Sequence, residues 1–189
     1  MGRPRQPPTR YSVLAVCTAN LCRSPVMQYL LAEALGPNSS IRSAGTDAVG
    51  GAPMHPLSLE VLADRGIDGS SFRSAPLRLD LIDRAHLILT AEGSHRKAVL
   101  AMRPNAASRT FTLFQFARLV DSSRAGGERD LGAAIARAHR ERIGAVVDDD
   151  LADPIGRPRA TFVEMADRVA AAAVTIAREA GASTARPGP

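Results

Sequence analysis

A stretch near the start of the chain holds the residue types that phosphate chemistry needs: Val13-Leu-Ala-Val-Cys17-Thr-Ala-Asn-Leu-Cys22-Arg23-Ser24-Pro25. The Cys-x5-Arg spacing lets Cys17 and Arg23 reach one phosphate from the two ends of a short loop. The N–H groups of such a loop can turn inward and hold a tetrahedral oxyanion, and Arg23 can add a bidentate hydrogen bond to two of its oxygens. The same groups would stabilise the thiolate of Cys17, which could then attack the bound phosphorus.

The elements on either side of this loop must place it at the edge of a sheet. The apolar run from Val13 to Val16 predicts a buried parallel strand. Ser24 is predicted to be the N-cap of the following helix, with Pro25 at the first helical position, and Gly36-Pro37 ends that helix. The loop therefore lies at the carboxyl end of a strand and the positive end of a helix dipole, where α/β folds bind anions.

Three other interpretations of the cysteines stay open at this point. Cys17 could be a buried core residue, or Cys17 and Cys22 could form a structural disulfide. The two could instead be zinc ligands, but the four histidines show no paired spacing. The strand before the loop and the Ser-Pro pair after it favour an enzyme. We expect neither a metal nor a cofactor.

Composition limits the class of protein. The chain has 189 residues and 45% hydrophobic content, which suits one domain with a core built mainly from Leu, Val, Ile and Ala, since tryptophan is absent. No apolar run approaches a membrane span, and the basic N-terminus lacks the apolar segment of a signal peptide. Two cysteines suit a reducing compartment. We therefore expect a cytoplasmic protein that does not associate with membranes.

The net charge of +5 comes almost entirely from arginine, with Lys97 as the only lysine. A basic chain can bind nucleic acid. Here the arginines are scattered, aromatic residues are scarce and no basic block occurs, so the charge is interpreted as a solvated surface and no nucleic-acid partner is expected. Nothing in the sequence indicates the oligomeric state.

Strand and helix patterns alternate along the chain. Strand candidates cover 11–16, 41–44, 86–90 and 109–113, and helix candidates lie between them and run on to about residue 180. This alternation predicts an α/β fold: a single-domain, doubly wound parallel sheet of about four strands flanked by helices, with the phosphate-binding loop after the first strand. Residues 1–10 and 181–189 are expected to be disordered tails.

The loop resembles the signature of the bacterial low-molecular-weight protein tyrosine phosphatases, in the arsenate reductase-like superfamily. The similarity covers residues 11–180. It includes these motifs in the family's order: Ser43-Ala-Gly-Thr46, Gly66-Ile-Asp68, Ala85-His-Leu-Ile-Leu89, Phe111-Thr-Leu113 and Asp153-Pro154. The resemblance implies hydrolysis of phosphotyrosine or aryl phosphate monoesters through a phosphocysteine, so the expected partner is a phosphorylated protein or a small aryl phosphate.

The resemblance also assigns roles to residues. Cys17 matches the nucleophile, Arg23 the phosphate-binding arginine and Asp153 the general acid, which the residue pattern alone could not choose among nineteen acidic side chains. Ser24 matches the residue that hydrogen-bonds the nucleophilic sulfur. The remaining loop positions would bind substrate with it: Thr18, Ala19, Asn20, Leu21 and Cys22.

Two of these loop residues carry further expectations. Asn20 tolerates a left-handed backbone and could shape the loop. Cys22 matches a second family cysteine, which could form a reversible disulfide with Cys17 and protect it from overoxidation.

Several positions depart from the family pattern. Ala19 stands where glycine is usual, Phe72 where many members have a histidine, and Ile155 where an aromatic residue often follows Asp-Pro. The glycine-rich loop at 45–51 matches one wall of the family's substrate groove. The departures at Ala19, Phe72 and Ile155 predict weaker binding of the phosphotyrosine ring. The three residues that match the catalytic positions, Cys17, Arg23 and Asp153, are all present.

Residues 121–150 look like an insertion relative to the family. They contain a helix pattern with Leu131, Ile135, Ala138 and Arg142 on one face and an acidic run at 148–150. A surface helix is the favoured interpretation; the alternative is a lid or partner-docking element. Deletion of 123–146 with unchanged kinetics across peptide substrates would contradict the lid.

Two other functions compete with the phosphatase. The same loop could bind arsenate, but no cysteine follows Cys22, so an arsenate reductase would need an external thiol. A non-catalytic phosphate-binding module is the other alternative. Cys17→Ser should abolish turnover in either enzyme and leave the binding module functional.

Overall fold

The computed structural model describes residues 11–122, 130–142 and 149–181. Four parallel strands form one sheet in the order β2-β1-β3-β4, with β1 at Tyr11–Cys17, β2 at Ser39–Gly45, β3 at Leu87–Thr90 and β4 at Thr110–Thr112. The predicted α/β sheet is confirmed. The predicted disordered tails lie outside the described residues, apart from Gly181.

Seven α-helices are described: α1 (Arg23–Leu35), α2 (Pro56–Ala63), α3 (Leu79–Arg84), α4 (Gly93–Met102), α5 (Leu113–Ser122), α6 (Leu131–Glu141) and α7 (Arg159–Glu179). A 3-10 turn at Pro104–Arg109 precedes β4. The helices lie between the strands and after β4, as the sequence predicts.

The predicted start of α1 is wrong. Cys22 occupies the N-cap position without a side-chain cap, and α1 begins at Arg23. Ser24 is therefore the second helical residue and Pro25 the third. Pro25 still lies in the first turn, where a backbone N–H has no acceptor within the helix. The hydroxyl of Ser24 is consequently free to act inside the site rather than cap the helix.

The strand β1 is buried on both faces. Val13, Ala15 and Cys17 face the larger core, which α1, α2, α5 and α7 also line. Leu14 and Val16 face a smaller core with residues of α3 and α4. Because successive side chains of a strand point to opposite faces, this double burial requires the continuous apolar run that predicts the strand.

The helix α6 packs against α5 and the 3-10 turn that precedes the edge strand β4. Leu131 and Ala138 are buried, while Ile135 and Arg142 are partly buried, so the predicted face is confirmed. The guanidinium of Arg142 lies 4.0 Å from the ring centroid of Phe111 and donates to the carbonyl oxygens at 107 and 110, both at 2.9 Å. One of these acceptors lies in the 3-10 turn and the other at the start of β4. The proposal that the 121–150 segment is a lid stays a prediction, since 123–129 and 143–148 lie outside the described residues.

No α-helix in the described ranges has the length and apolar character needed to cross a membrane.

Candidate active site

The phosphate loop, Cys17–Arg23, joins β1 to α1 at the carboxyl edge of the sheet. Its outward carbonyls are held by neighbouring segments: Thr46 N–H donates to Cys17 O at 2.9 Å, Asp47 N–H to Thr18 O at 3.0 Å and His55 N–H to Leu21 O at 2.9 Å. Within the described part of the chain, the N–H groups of residues 18–22 donate to no protein acceptor. The loop can therefore offer these donors to an oxyanion.

Asn20 lies at the centre of the loop's support. It is fully buried and has a φ of 54°, which confirms the predicted left-handed backbone. Its Nδ2 donates to Ser24 Oγ at 2.8 Å and Ser43 Oγ at 2.9 Å, and its Oδ1 accepts from Ala75 N–H at 2.8 Å. Every polar atom of this buried amide has a partner. Asn20 therefore fixes the phosphate loop to Ser43 of β2 and to the backbone at Ala75.

Ser24 lies 3.0 Å from the nucleophile candidate, measured from Oγ to Cys17 Sγ. Because Asn20 donates to the Ser24 oxygen, the hydroxyl hydrogen of Ser24 is available for another acceptor. The other candidate, Ala44 O, is more distant at 3.4 Å. The arrangement suits donation to a sulfur that carries negative charge.

Arg23 forms ion pairs with two carboxylates at the site, those of Glu92 and Asp153. Its side chain is buried and donates to Asp153 Oδ2 at 2.6 Å, to Leu151 O at 3.2 Å and to the carboxylate of Glu92. The structure therefore brings Asp153 to Arg23, the last residue of the loop that begins at Cys17, although Asp153 is 130 positions along the chain from Arg23.

Glu92 is a site residue that the sequence analysis missed. It follows β3 at the carboxyl edge of the sheet and forms an ion pair with Arg23. Burial raises its pKa, but the charge and hydrogen bonds of Arg23 outweigh burial and hold the pKa of Glu92 below its usual value. An acidic residue just after a core strand is the signal that could have found it.

His95 is the second missed residue. It is 4% exposed, its Nδ1 accepts the N–H of Glu92 at 3.1 Å, and its Nε2 lies 2.8 Å from Thr18 Oγ1. Glu92 and His95 together form a capping box at the start of α4. Burial lowers the pKa of His95. Among the described residues, no three His, Cys, Asp or Glu side chains are grouped so that they could hold a metal ion.

Cys17 and Cys22 are both buried free thiols, so the structure has no structural disulfide between them. Burial raises the pKa of Cys22 to about 12, against a smaller lowering by a hydrogen bond with Ser58. The reversible disulfide under oxidation stays a prediction. Mass spectrometry after hydrogen peroxide treatment would contradict it if no bridge were found.

Two exposed aliphatic residues lie in segments that are bonded to the site or follow it directly. Val49, in the glycine-rich loop that binds the phosphate loop, is 81% exposed, and Ile155, two residues after Asp153, is 51% exposed. Leu21 is partly buried against the core. Phe72, where the family often has a histidine, is buried with its ring centroid 6.5 Å from that of Tyr29. Neither Val49 nor Ile155 supplies an aromatic ring at these positions.

Residues 12–126 match the family model described as low molecular weight phosphotyrosine protein phosphatase. A probable low molecular weight protein-tyrosine-phosphatase of Ralstonia solanacearum, EpsP, is 41% identical over 102 residues, which cover 54% of this chain and 70% of that protein. A protein-arginine-phosphatase of Geobacillus stearothermophilus is 33% identical over 141 residues, which cover 73% of this chain and 92% of that protein.

Solved structures match over more of the chain. The arginine phosphatase YwlE from Geobacillus stearothermophilus superposes with a TM-score of 0.69 at 28% identity, covering 89% of this chain and 91% of that one. A low molecular weight protein tyrosine phosphatase from T. tengcongensis gives a TM-score of 0.68 at 28% identity, covering 88% and 97%. The similar proteins thus include enzymes named for two kinds of phosphorylated side chain.

Proposed function

Because the chain belongs to the low molecular weight phosphotyrosine protein phosphatase family, it is a cysteine-dependent protein tyrosine phosphatase, and we propose that Cys17, Arg23 and Asp153 carry its reaction. The observation on which this assignment depends is the convergence of a thiol, a guanidinium and a carboxylate on one loop whose N–H groups are free to bind an oxyanion.

In the first step, the phosphate of the substrate lies in the loop, where the N–H groups and Arg23 hold its oxygens. The thiolate of Cys17 attacks phosphorus from the floor of the loop, forming an S–P bond while the P–O bond to the tyrosine oxygen breaks. Asp153, whose side chain is 43% exposed, gives a proton to the leaving oxygen. The products are free tyrosine and a phosphocysteine.

In the second step, water hydrolyses the phosphocysteine. The carboxylate of Asp153 now takes a proton from the attacking water, a P–O bond forms, and the S–P bond breaks. The departing sulfur of Cys17 regains its negative charge, and the Ser24 hydroxyl at 3.0 Å stabilises that charge. Inorganic phosphate leaves and the thiolate is restored.

We further propose that the enzyme prefers aryl phosphates to phosphoarginine. Val49 and Ile155 offer apolar contact to the ring of a phosphotyrosine. A phosphorylated guanidinium brings several N–H donors, for which the side chains of Val49 and Ile155 offer no acceptor. The expected partner is a phosphorylated protein, and the two free thiols support a cytoplasmic location.

The roles are tested by hydrolysis of p-nitrophenyl phosphate in the presence of EDTA. The wild type should turn over, Cys17→Ser should show no turnover, and Asp153→Asn should lose kcat by about 100-fold or more, the scale of general acid catalysis. Asp80→Asn is the matched control, because Asp80 lies on α3 and its carboxylate is hydrogen-bonded to the guanidinium of Arg78 rather than to Arg23. Full activity of Cys17→Ser would refute the assignment.

The substrate preference is tested with one peptide in two forms, carrying phosphotyrosine or phosphoarginine at the same position. We expect kcat/KM to be higher for phosphotyrosine, because Val49 and Ile155 can pack against its aromatic ring. A higher kcat/KM for phosphoarginine would reverse the proposed preference without affecting the assignment of Cys17.

A further inference from the structure

His95 connects the start of α4 to the first residue after the nucleophile. Thr18 directly follows Cys17, and its Oγ1 lies 2.8 Å from Nε2 of the buried imidazole. The other ring nitrogen, Nδ1, lies 3.1 Å from the backbone nitrogen of Glu92. Both nitrogens of His95 are thus engaged, one inside its own helix and one on the phosphate loop.

The hydrogen bonds assign the tautomer of the ring. A backbone nitrogen can only donate, so Nδ1 is an acceptor and the single proton of a neutral imidazole is on Nε2. Nε2–H therefore donates to Thr18 Oγ1, and the hydroxyl hydrogen of Thr18 is left for another acceptor. The charged groups that act on this ring are Glu92, Arg23, Asp150 and Asp153, and burial outweighs them in favouring the neutral form.

The same capping box also contacts the far end of the loop. Glu92 accepts from the guanidinium of Arg23, which is the last residue of the loop, while His95 donates to Thr18 near its start. The start of α4 therefore contacts both sides of the phosphate-binding loop. A shift of this terminus would change the position of the loop start relative to Arg23.

We propose that His95 is a positioning residue for the phosphatase reaction, which acts through Thr18 to hold the start of the phosphate loop, and with it Cys17, in line with the bound phosphorus. This inference rests on the proposed function. His95 touches neither substrate nor sulfur. Its contribution is geometric, and errors in the alignment of reacting atoms affect the transition state more than the bound ground state.

Two substitutions separate this role from helix capping. In His95→Asn, the shorter amide can still accept the N–H of Glu92 near the position of Nδ1, but it cannot reach Thr18. In Thr18→Val the acceptor is removed while the side-chain shape is nearly kept, and Thr18→Ser restores the hydroxyl. Thr18 is exposed, so its variants test the contact even where a change at the buried histidine impairs folding.

The experiment measures kcat, KM and inhibition by vanadate, a mimic of the five-coordinate transition state, alongside urea unfolding. We expect kcat to fall about tenfold in both His95→Asn and Thr18→Val with KM nearly unchanged. Vanadate inhibition should weaken by a similar factor, and Thr18→Ser should recover wild-type kcat. The double variant should be no slower than the slower single variant, because each change removes the same contact.

The possible outcomes separate a failure of the proposed function from a failure of the role of His95. A wild type without turnover would overturn the proposed function and this inference together. An active wild type whose kcat and vanadate inhibition are unchanged in both single variants would overturn the role of His95 alone. A double variant that is about 100-fold slower would show that the two residues act independently and would also overturn it.

Discussion

Removal of the Asn20 side chain should destabilise the whole domain, even though the residue lies in a loop. Asn20 is fully buried, takes part in three side-chain hydrogen bonds of 2.8–2.9 Å and has a φ of 54°. Asn20→Ala deletes all three bonds and places an alanine in the left-handed region. Asn20→Gly deletes the same bonds, but glycine adopts that backbone without steric cost.

The expected loss in the free energy of unfolding can be worked out from these contacts. The bonds to Ser24 and Ser43 contribute about 1 kcal/mol each, and loss of the acceptor for Ala75 N–H costs about 1–2 kcal/mol. The left-handed backbone adds about 1 kcal/mol for alanine. The free energy of unfolding should therefore fall by about 4–5 kcal/mol for Asn20→Ala and about 3–4 kcal/mol for Asn20→Gly, a large share of the roughly 5–15 kcal/mol typical of a domain.

Equilibrium urea unfolding followed by circular dichroism is the suitable assay, since the chain has no tryptophan. Asn105→Ala, at an exposed position of the 3-10 turn, is the matched control and should change stability by less than about 0.5 kcal/mol. If Asn20→Ala lowered the free energy of unfolding by less than about 1 kcal/mol, the three hydrogen bonds of Asn20 would not stabilise the domain as proposed. If Asn20→Gly were less stable than Asn20→Ala, the left-handed backbone at position 20 would not cost alanine the expected free energy.

Three further predictions concern the surroundings of the loop. Gly45→Ala should abolish kcat/KM, because its Cβ would lie 2.3 Å from the Thr18 backbone oxygen, whereas Gly50→Ala, with a nearest atom at 3.4 Å, should leave kcat/KM unchanged. Iodoacetamide at pH 8 should label the nucleophilic cysteine of the folded protein before Cys22, because burial raises the pKa of Cys22 to about 12 and keeps it a thiol at that pH; mass spectrometry that found Cys22 labelled first would contradict this. Burial lowers the pKa of His95, so the unfolded chain binds the extra proton first and urea stability should fall as the pH drops below about 6.5. His95→Asn should flatten that slope, and an unchanged slope would count against it.

The sequence predicted the fold because the signals for it are local. The apolar run from Val13 to Val16 has no polar face, which is the pattern of a strand covered on both sides. Helix patterns between such runs then leave a parallel sheet as the simple topology. The phosphate loop was also accessible from sequence, since both of its key side chains belong to one short segment.

The start of α1 shows where local signals fail. Ser24-Pro25 predicts an N-cap followed by the first helical residue, but the helix begins at Arg23. The buried partners of Ser24 explain the difference: Asn20 donates to its hydroxyl, and Cys17 lies 3.0 Å away. These tertiary contacts outweigh the preference of serine for a cap.

Only the tertiary structure decided which distant residues complete the site. Asp153 is one of nineteen acidic residues, and resemblance rather than pattern singled it out, whereas its bond to Arg23 follows from the fold. The sequence did not predict roles for Glu92 and His95, because a single acidic residue and a single histidine form no motif with a recognisable spacing. Parallel strands bring all of their carboxyl ends to one edge of the sheet. Residues that are remote in sequence meet there, and the chain order does not reveal which of them will touch.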